Sequence, residues 1–157
     1  MIATTPALRL APRGLGLVVA SIQSHLGRGF SAVIGALACG NPIVFKPSLA
    51  VVCSSFVVCE CLWSAGISRD MLCFLPTRGS ELDSALVNLG GVFGFGVAFG
   101  RKERVESMRQ SLPTLPLIAY THGIHAMVIS KFADYNEVLE HVLQSVLSGF
   151  GTSIDSG

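Results

Sequence analysis

The sequence predicts an α/β fold: a mostly parallel sheet with helices on both faces. Three observations predict it. Short apolar runs of strand length alternate with stretches of helical spacing, the links between them are short, and a glycine stop separates the first helix from the second strand.

Residues 15–22 form a nearly continuous apolar run. Residues 26–39 then switch to helical spacing and end at Gly40-Asn41, which reads as a strand followed by a helix with a glycine cap. A second short strand spans 42–46, and Ser48 stands where it can cap a helix reaching to about residue 64, closed by Ala65-Gly66. This completes one βαβ unit. The second helix is apolar nearly all round through Val51, Val52, Phe56, Val57, Val58 and Leu62. It is expected to be covered on more than one side, and to show an apolar face when the chain stands alone. The alternation continues with a strand at 71–75, a short helix at 81–87, an apolar strand at 91–99 and a polar helix at 102–111. Further strands are expected at 116–119 and 126–129. In the last helix Asp134 caps, Glu137 completes a capping box, and Val138, Leu139, Val142, Leu143, Val146 and Leu147 recur at i, i+3, i+4.

A chain of 157 residues suits one domain. Half of it is apolar and only 13% is charged, so it is expected to bury much of itself in an interior or against a partner, and disorder is not expected. A net charge of +1 without a basic run leaves no electrostatic footprint for nucleic acid. Uncharged stretches at 29–45 and 84–100 reach the lower limit for a membrane span. They are broken by Gly40-Asn41-Pro42 and by Gly90-Gly91, Gly94 and Gly96, so no span is expected. No basic flank with an apolar core opens the chain, so no secretory signal is expected. Cys39, Cys53, Cys59, Cys61 and Cys73 form no CxxC pair. They are expected to be small buried hydrophobes of a protein in a reducing, cytoplasmic setting.

Open α/β sheets bind ligands at the carboxyl ends of their strands, which makes the residues after each strand the candidates for function. There, Gly35-Ala36-Leu37-Ala38-Cys39-Gly40-Asn41-Pro42-Ile43-Val44-Phe45-Lys46-Pro47-Ser48 closely resembles the helix-strand segment of aldehyde dehydrogenases that ends in Lys-Pro-Ser. Ala65-Gly66-Ile67, and Phe74-Leu75-Pro76 with Arg78-Gly79, fall where that family has its Ala-Gly-Val-Pro turn and its Gly-rich cofactor loop. Pro116-Leu117-Ile118-Ala119, with Gly123 and Ala126-Met127, is similar to the family's strand pair in the form found in pyrroline-5-carboxylate dehydrogenases of proline catabolism.

The resemblance implies a Rossmann-like cofactor domain and NAD or NADP as cofactor. It begins near Pro12, so residues 1–11 read as an extension and 12–157 as a partial NAD(P)-binding domain, about a third of a family member. The half that faces the substrate is expected to lie outside it.

Aldehyde oxidation in this family needs a thiolate nucleophile, a carboxylate that activates water, and a donor to the oxyanion. The resemblance puts Ile154 at the cysteine, Tyr120 at the carboxylate with His122 following where a glycine stands, and Gln23 at the asparagine. Isoleucine has no nucleophilic atom, a phenol is a poor general base at neutral pH, and glutamine donates from one methylene further out. On the cofactor side Lys46 matches the lysine that contacts the adenosine ribose, and Ser48 and Gly79 are retained. The family's Phe-Thr-Gly-Ser appears as Phe99-Gly100-Arg101-Lys102. Lys102 supplies a cation for a phosphate in a turn where the family uses small residues for close backbone approach.

His122-Gly123-Ile124-His125 has metal-like spacing but no third ligand nearby, and reads as a pair of turn histidines. Cys59-Glu60-Cys61 falls on a helix, where residues two apart do not face each other, and reads as structural. Two functions compete, with a third, a nucleotide-binding module without catalysis, that differs from the first only in whether Lys46 and the Gly79 loop hold a cofactor. One is a degenerate relative without catalysis, binding NAD or NADP weakly and meeting a second copy or a larger aldehyde dehydrogenase-like chain through its apolar surface. The other is an active dehydrogenase whose missing groups come from further segments or a partner chain.

Overall fold

The computed structural model describes residues 10–89, 91–121, 128 and 134–147, with backbone alone for 145–147. The described elements are β1 (Gly16–Val19), α1 (Arg28–Ala38), β2 (Ile43–Lys46), a 3-10 turn (Leu49–Val51), α2 (Val52–Ser64), β3 (Leu72–Phe74), α3 (Gly79–Leu89), β4 (Phe95–Gly100), α4 (Lys102–Ser111), β5 (Leu117–Thr121) and α5 (Tyr135–Leu147). The strands form one sheet in the order β3-β2-β1-β4-β5, parallel throughout. The expected α/β architecture is therefore the observed one. The strand expected at 126–129 falls almost wholly outside the described residues.

Side chains alternate across the sheet and build one core on each face. Val18, Ala20, Ile43, Phe45, Leu72, Val97 and Phe99 meet Phe30 and Val33 of α1 and Cys59 of α2. Leu17, Val19 and Ala98 meet Leu82 and Leu86 of α3 and Val105 and Met108 of α4. The continuous apolar runs in β1 and β4 follow from this, because a strand covered on both faces cannot alternate apolar with polar.

Two helices end in the glycine geometry that the sequence predicts. Gly40 (φ 79°) lets the Asn41 N–H reach Ala36 O at 3.0 Å and its own N–H reach Leu37 O at 2.9 Å. Gly66 (φ 103°) does the same for α2, with Ile67 N–H on Leu62 O and Gly66 N–H on Trp63 O. Both are Schellman caps, which only a residue free to take positive φ closes without strain.

Four expectations need correction. β1 is shorter than 15–22, because the chain turns away after Ala20 around buried Ser24, whose Oγ lies 3.0 Å from that of Ser21 and whose carbonyl accepts from Gly29 N–H at 2.6 Å. β4 starts at Phe95 rather than at residue 91, because Gly94 lies against the Arg13 carbonyl, too close for any side chain. α3 starts at Gly79 rather than at Glu81: the Glu81 carboxylate accepts from Arg78 N–H at 2.9 Å and Thr77 Oγ1 at 2.6 Å, which nucleates a turn ahead of it. Of the five cysteines only Cys59 is buried, while Cys39 is half-buried and Cys53, Cys61 and Cys73 are exposed. Burial, with Glu60 beside it, pushes the Cys59 thiol up to about 12, which keeps it an inert hydrophobe.

α2 carries the exposed apolar face expected of it, with Phe56 41% and Val57 59% accessible. At the head of α5 the Asp134 carboxylate accepts from Asn136 N–H at 2.8 Å, as an N-cap does. Among the described residues no helix is long and apolar enough to cross a membrane.

Candidate functional site

β1 and β4 lie side by side although the chain runs from β1 outward to β2 and β3 before returning. Their carboxyl ends thus form the topological switch point at which open α/β sheets hold ligands. The fold brings all four expected cofactor residues to this edge. Lys46 and Ser48 follow β2, Gly79 opens α3, and Lys102 opens α4.

Lys46 pairs in register with Val19 and belongs to the same face as Val44, the face covered by α3 and α4. It is only 8% exposed, and burial followed by repulsion from Arg104 lowers its pKa, with Asp83 pulling the other way. Ser48 is half-buried and heads the 3-10 turn rather than α2 itself. Its hydroxyl makes no capping bond, and only its carbonyl is used, by Val51 N–H at 3.1 Å, so the side-chain cap expected there is not formed. Lys102 is exposed in the first turn of α4, whose ladder begins with Val105 N–H on Arg101 O. The three N–H groups before Val105 have no partner within the helix and face this edge with the positive end of the helix dipole.

Asp83 and Arg104 belong to the same edge, and sequence reasoning missed both. Nothing in the sequence couples positions 21 residues apart on two different helices. Arg104 reaches from α4 to α3, where its Nη1 pairs with Asp83 Oδ2 and its Nη2 donates to Gly79 O at 3.0 Å. Ser107 Oγ adds a long bond to the same carboxylate at 3.4 Å. Asp83 Oδ1 is buried and accepts nothing. A shallow cleft of about 670 Å³ opens above the pair, lined by Gly79, Ser80, Asp83, Arg101, Glu103, Arg104 and Ser107. Lys46 is not among its walls.

This geometry tests whether a dinucleotide fits. The helix N-termini with Arg101 and Lys102 suit an anionic group such as a phosphate. The space beside Gly79 does not suit a nucleoside, because Arg104 already fills it: a Cβ placed on Gly79 would lie 3.1 Å from Arg104 Nε. With Arg104 and Asp83 lining the cleft and Lys46 absent from its walls, the residues present do not fit a whole NAD or NADP in this conformation.

Of the three positions matched to chemistry, two are among the described residues. Gln23 is half-buried in the turn after β1. Tyr120 sits at the end of β5, 45% exposed, with its ring stacked on Phe99. Ile154, like His122 and His125, lies outside the described residues. Tyr120 and Phe99 belong to a second opening of about 660 Å³ beside α1, with an apolar floor of Phe95, Val97 and Ile118.

Comparison with known proteins settles the class. The aldehyde dehydrogenase family model matches residues 4–153, and the chain belongs to that family. Among relatives, 1-pyrroline-5-carboxylate dehydrogenase of Geobacillus thermodenitrificans (strain NG80-2) is 26% identical over 150 residues, which are 90% of this chain and 28% of that protein. The structure of proline utilization A with proline bound in remote sites superposes with a TM-score of 0.84 at 24% identity, covering 92% of this chain and 15% of that one. The NAD+ complex of aldehyde dehydrogenase from Bacillus cereus superposes with a TM-score of 0.79 at 22% identity, covering 94% of this chain and 30% of that one. The chain thus spans less than a third of the length of these proteins, and the structural likenesses establish the fold.

Proposed function

We propose that the chain is a catalytically silent aldehyde dehydrogenase relative with weak affinity for NAD or NADP. One observation carries the reading: the positions matched to nucleophile, water-activating carboxylate and carbonyl-polarising amide hold Ile154, Tyr120 and Gln23. Each step of aldehyde oxidation requires one of these groups, so the losses do not compensate one another. Lys46, Ser48, Gly79 and Lys102 are the residues toward which a bound NAD or NADP would turn, and Lys46 is the one a ligand must reach to be held firmly. The resemblance to pyrroline-5-carboxylate dehydrogenases supports proline catabolism as the context, and a cytoplasmic setting is part of the same proposal. The exposed Phe56 and Val57 support association with a second copy or with a larger aldehyde dehydrogenase-like chain.

The test is NAD and NADP reduction with 1-pyrroline-5-carboxylate and with simple aldehydes, followed by absorbance of the reduced nicotinamide. No rate above the protein-free blank is expected, while calorimetry is expected to register weak cofactor binding that Lys46→Ala abolishes. Turnover would overturn the silent reading. It would select the alternative, an active NAD(P)-dependent dehydrogenase completed by further segments or a partner chain, which draws support from the chain's spanning 28% of its relative.

A further inference from the structure

We infer that the Asp83–Arg104 pair is a built-in occupant of the dinucleotide cleft, so that NAD or NADP binds only by displacing the Arg104 guanidinium from the first turn of α3. The inference rests on the cofactor reading above and supplies its cause. Three observations carry it. The guanidinium is held at both ends, by the Asp83 carboxylate and by Gly79 O, and so bridges the two helices that border the cleft. It lies beside Gly79, in space that the missing side chain at the start of α3 leaves free. The residues lining the cleft include Arg104 and Asp83 and omit Lys46, so a ligand seated in this cleft touches the pair.

The pair is partly buried, with side chains 33% and 23% exposed, and is therefore less screened than a surface ion pair. It is also imperfect. Asp83 Oδ1 is buried without a donor, which destabilises the closed arrangement and leaves the pair open to competition. A ligand that binds only the open state has its apparent affinity reduced by the fraction of molecules that are open. Removing the guanidinium makes that fraction one.

The experiment is titration calorimetry of the full chain with NAD+, NADP+ and inorganic pyrophosphate, on the native protein, on Arg104→Ala and on Asp83→Asn/Arg104→Ala. The double variant leaves no uncompensated carboxylate should Arg104→Ala alone fail to fold, and circular dichroism reports the fold of each. NAD+ and NADP+ are expected to bind about tenfold or more tightly to the variants. Pyrophosphate is expected to bind no better, because it gains nothing from the vacated space and loses a cation. Adding Lys46→Ala to Arg104→Ala is expected to cancel the gain. Dinucleotide affinity that is unchanged or lower in both folded variants overturns the inference, as does an equal gain for pyrophosphate. If Lys46→Ala weakens binding to the native chain while Arg104→Ala changes nothing, the occupant is refuted and the cofactor reading survives. If no variant binds a dinucleotide at all, both fall.

Discussion

Phe99 and Tyr120, partners in register across β4 and β5, stack with ring centroids 4.8 Å apart and planes 8° from parallel. Under the proposed reading, in which Tyr120 is matched to the family's catalytic glutamate, that position holds a packing contact. Tyr120→Glu is expected to lower stability by about 1 kcal/mol, the order of an aromatic pair, and to leave NAD reduction at the blank. Ile154→Cys is expected at most to add a thiol that alkylating reagents modify. Turnover in either single variant would refute the view that several groups are missing at once.

Lys46 carries an expectation of opposite sign for stability and binding. Burial and the Arg104 guanidinium disfavour its ammonium, so its pKa falls below 10.5 on folding. The cost of the charge is complete below the folded pKa and disappears as pH rises toward the unfolded value. Lys46→Met is therefore expected to raise Tm at neutral pH, by about 1 kcal/mol in stability, with the gain shrinking in alkali, while cofactor binding is lost. A lower Tm at neutral pH would make Lys46 a structural residue.

Glu81 gives a pH dependence in acid. Hydrogen bonds from Thr77 Oγ1 and Arg78 N–H hold its carboxyl below the usual range, with burial opposing weakly. A carboxylate with a depressed folded pKa contributes stability above the unfolded carboxylate range and loses it as pH falls through the folded pKa. Glu81→Ala is expected to melt below the native chain at pH 7 and to converge with it in acid, as pH falls through the folded pKa of Glu81. A Tm difference independent of pH would show that the two hydrogen bonds do not stabilise α3.

The apolar surface of α2 has a consequence for solution behaviour. Phe56 and Val57 are both more than a third accessible. The native chain is expected to self-associate with rising concentration and to brighten a hydrophobic dye, and Phe56→Ser with Val57→Lys is expected to reduce both. Light scattering that reports a monomer at every concentration, with little dye fluorescence, would remove the case for a partner on this face.

Much of the fold was legible because its signals are local. Gly40 and Gly66 announce their caps through a property of the residue itself, and the apolar runs at β1, β2 and β4 follow from burial on both faces. The strand ends were less legible. Where β1 stops depends on Ser24 and Gly29, and where β4 begins depends on Gly94 against Arg13, contacts between segments that periodicity does not relate. The cysteines show the same limit. An apolar neighbourhood in sequence does not say which face a helix turns to the sheet, so Cys59 is buried while Cys53 and Cys61 are not.

By itself the sequence determined the alternation of strand and helix, the caps, and the identity of the residues at Gln23, Tyr120, Lys46 and Ile154, because each is a property of one residue or of a short window. Only the tertiary structure decided that Arg104 of α4 and Asp83 of α3 meet beside Gly79, and that both line one cleft whose walls do not include Lys46. The reason is geometric. A crossover connection carries each helix back along the sheet to begin at the same edge, so residues far apart in the chain share one cleft, and which of them pair there is settled by side-chain reach and charge.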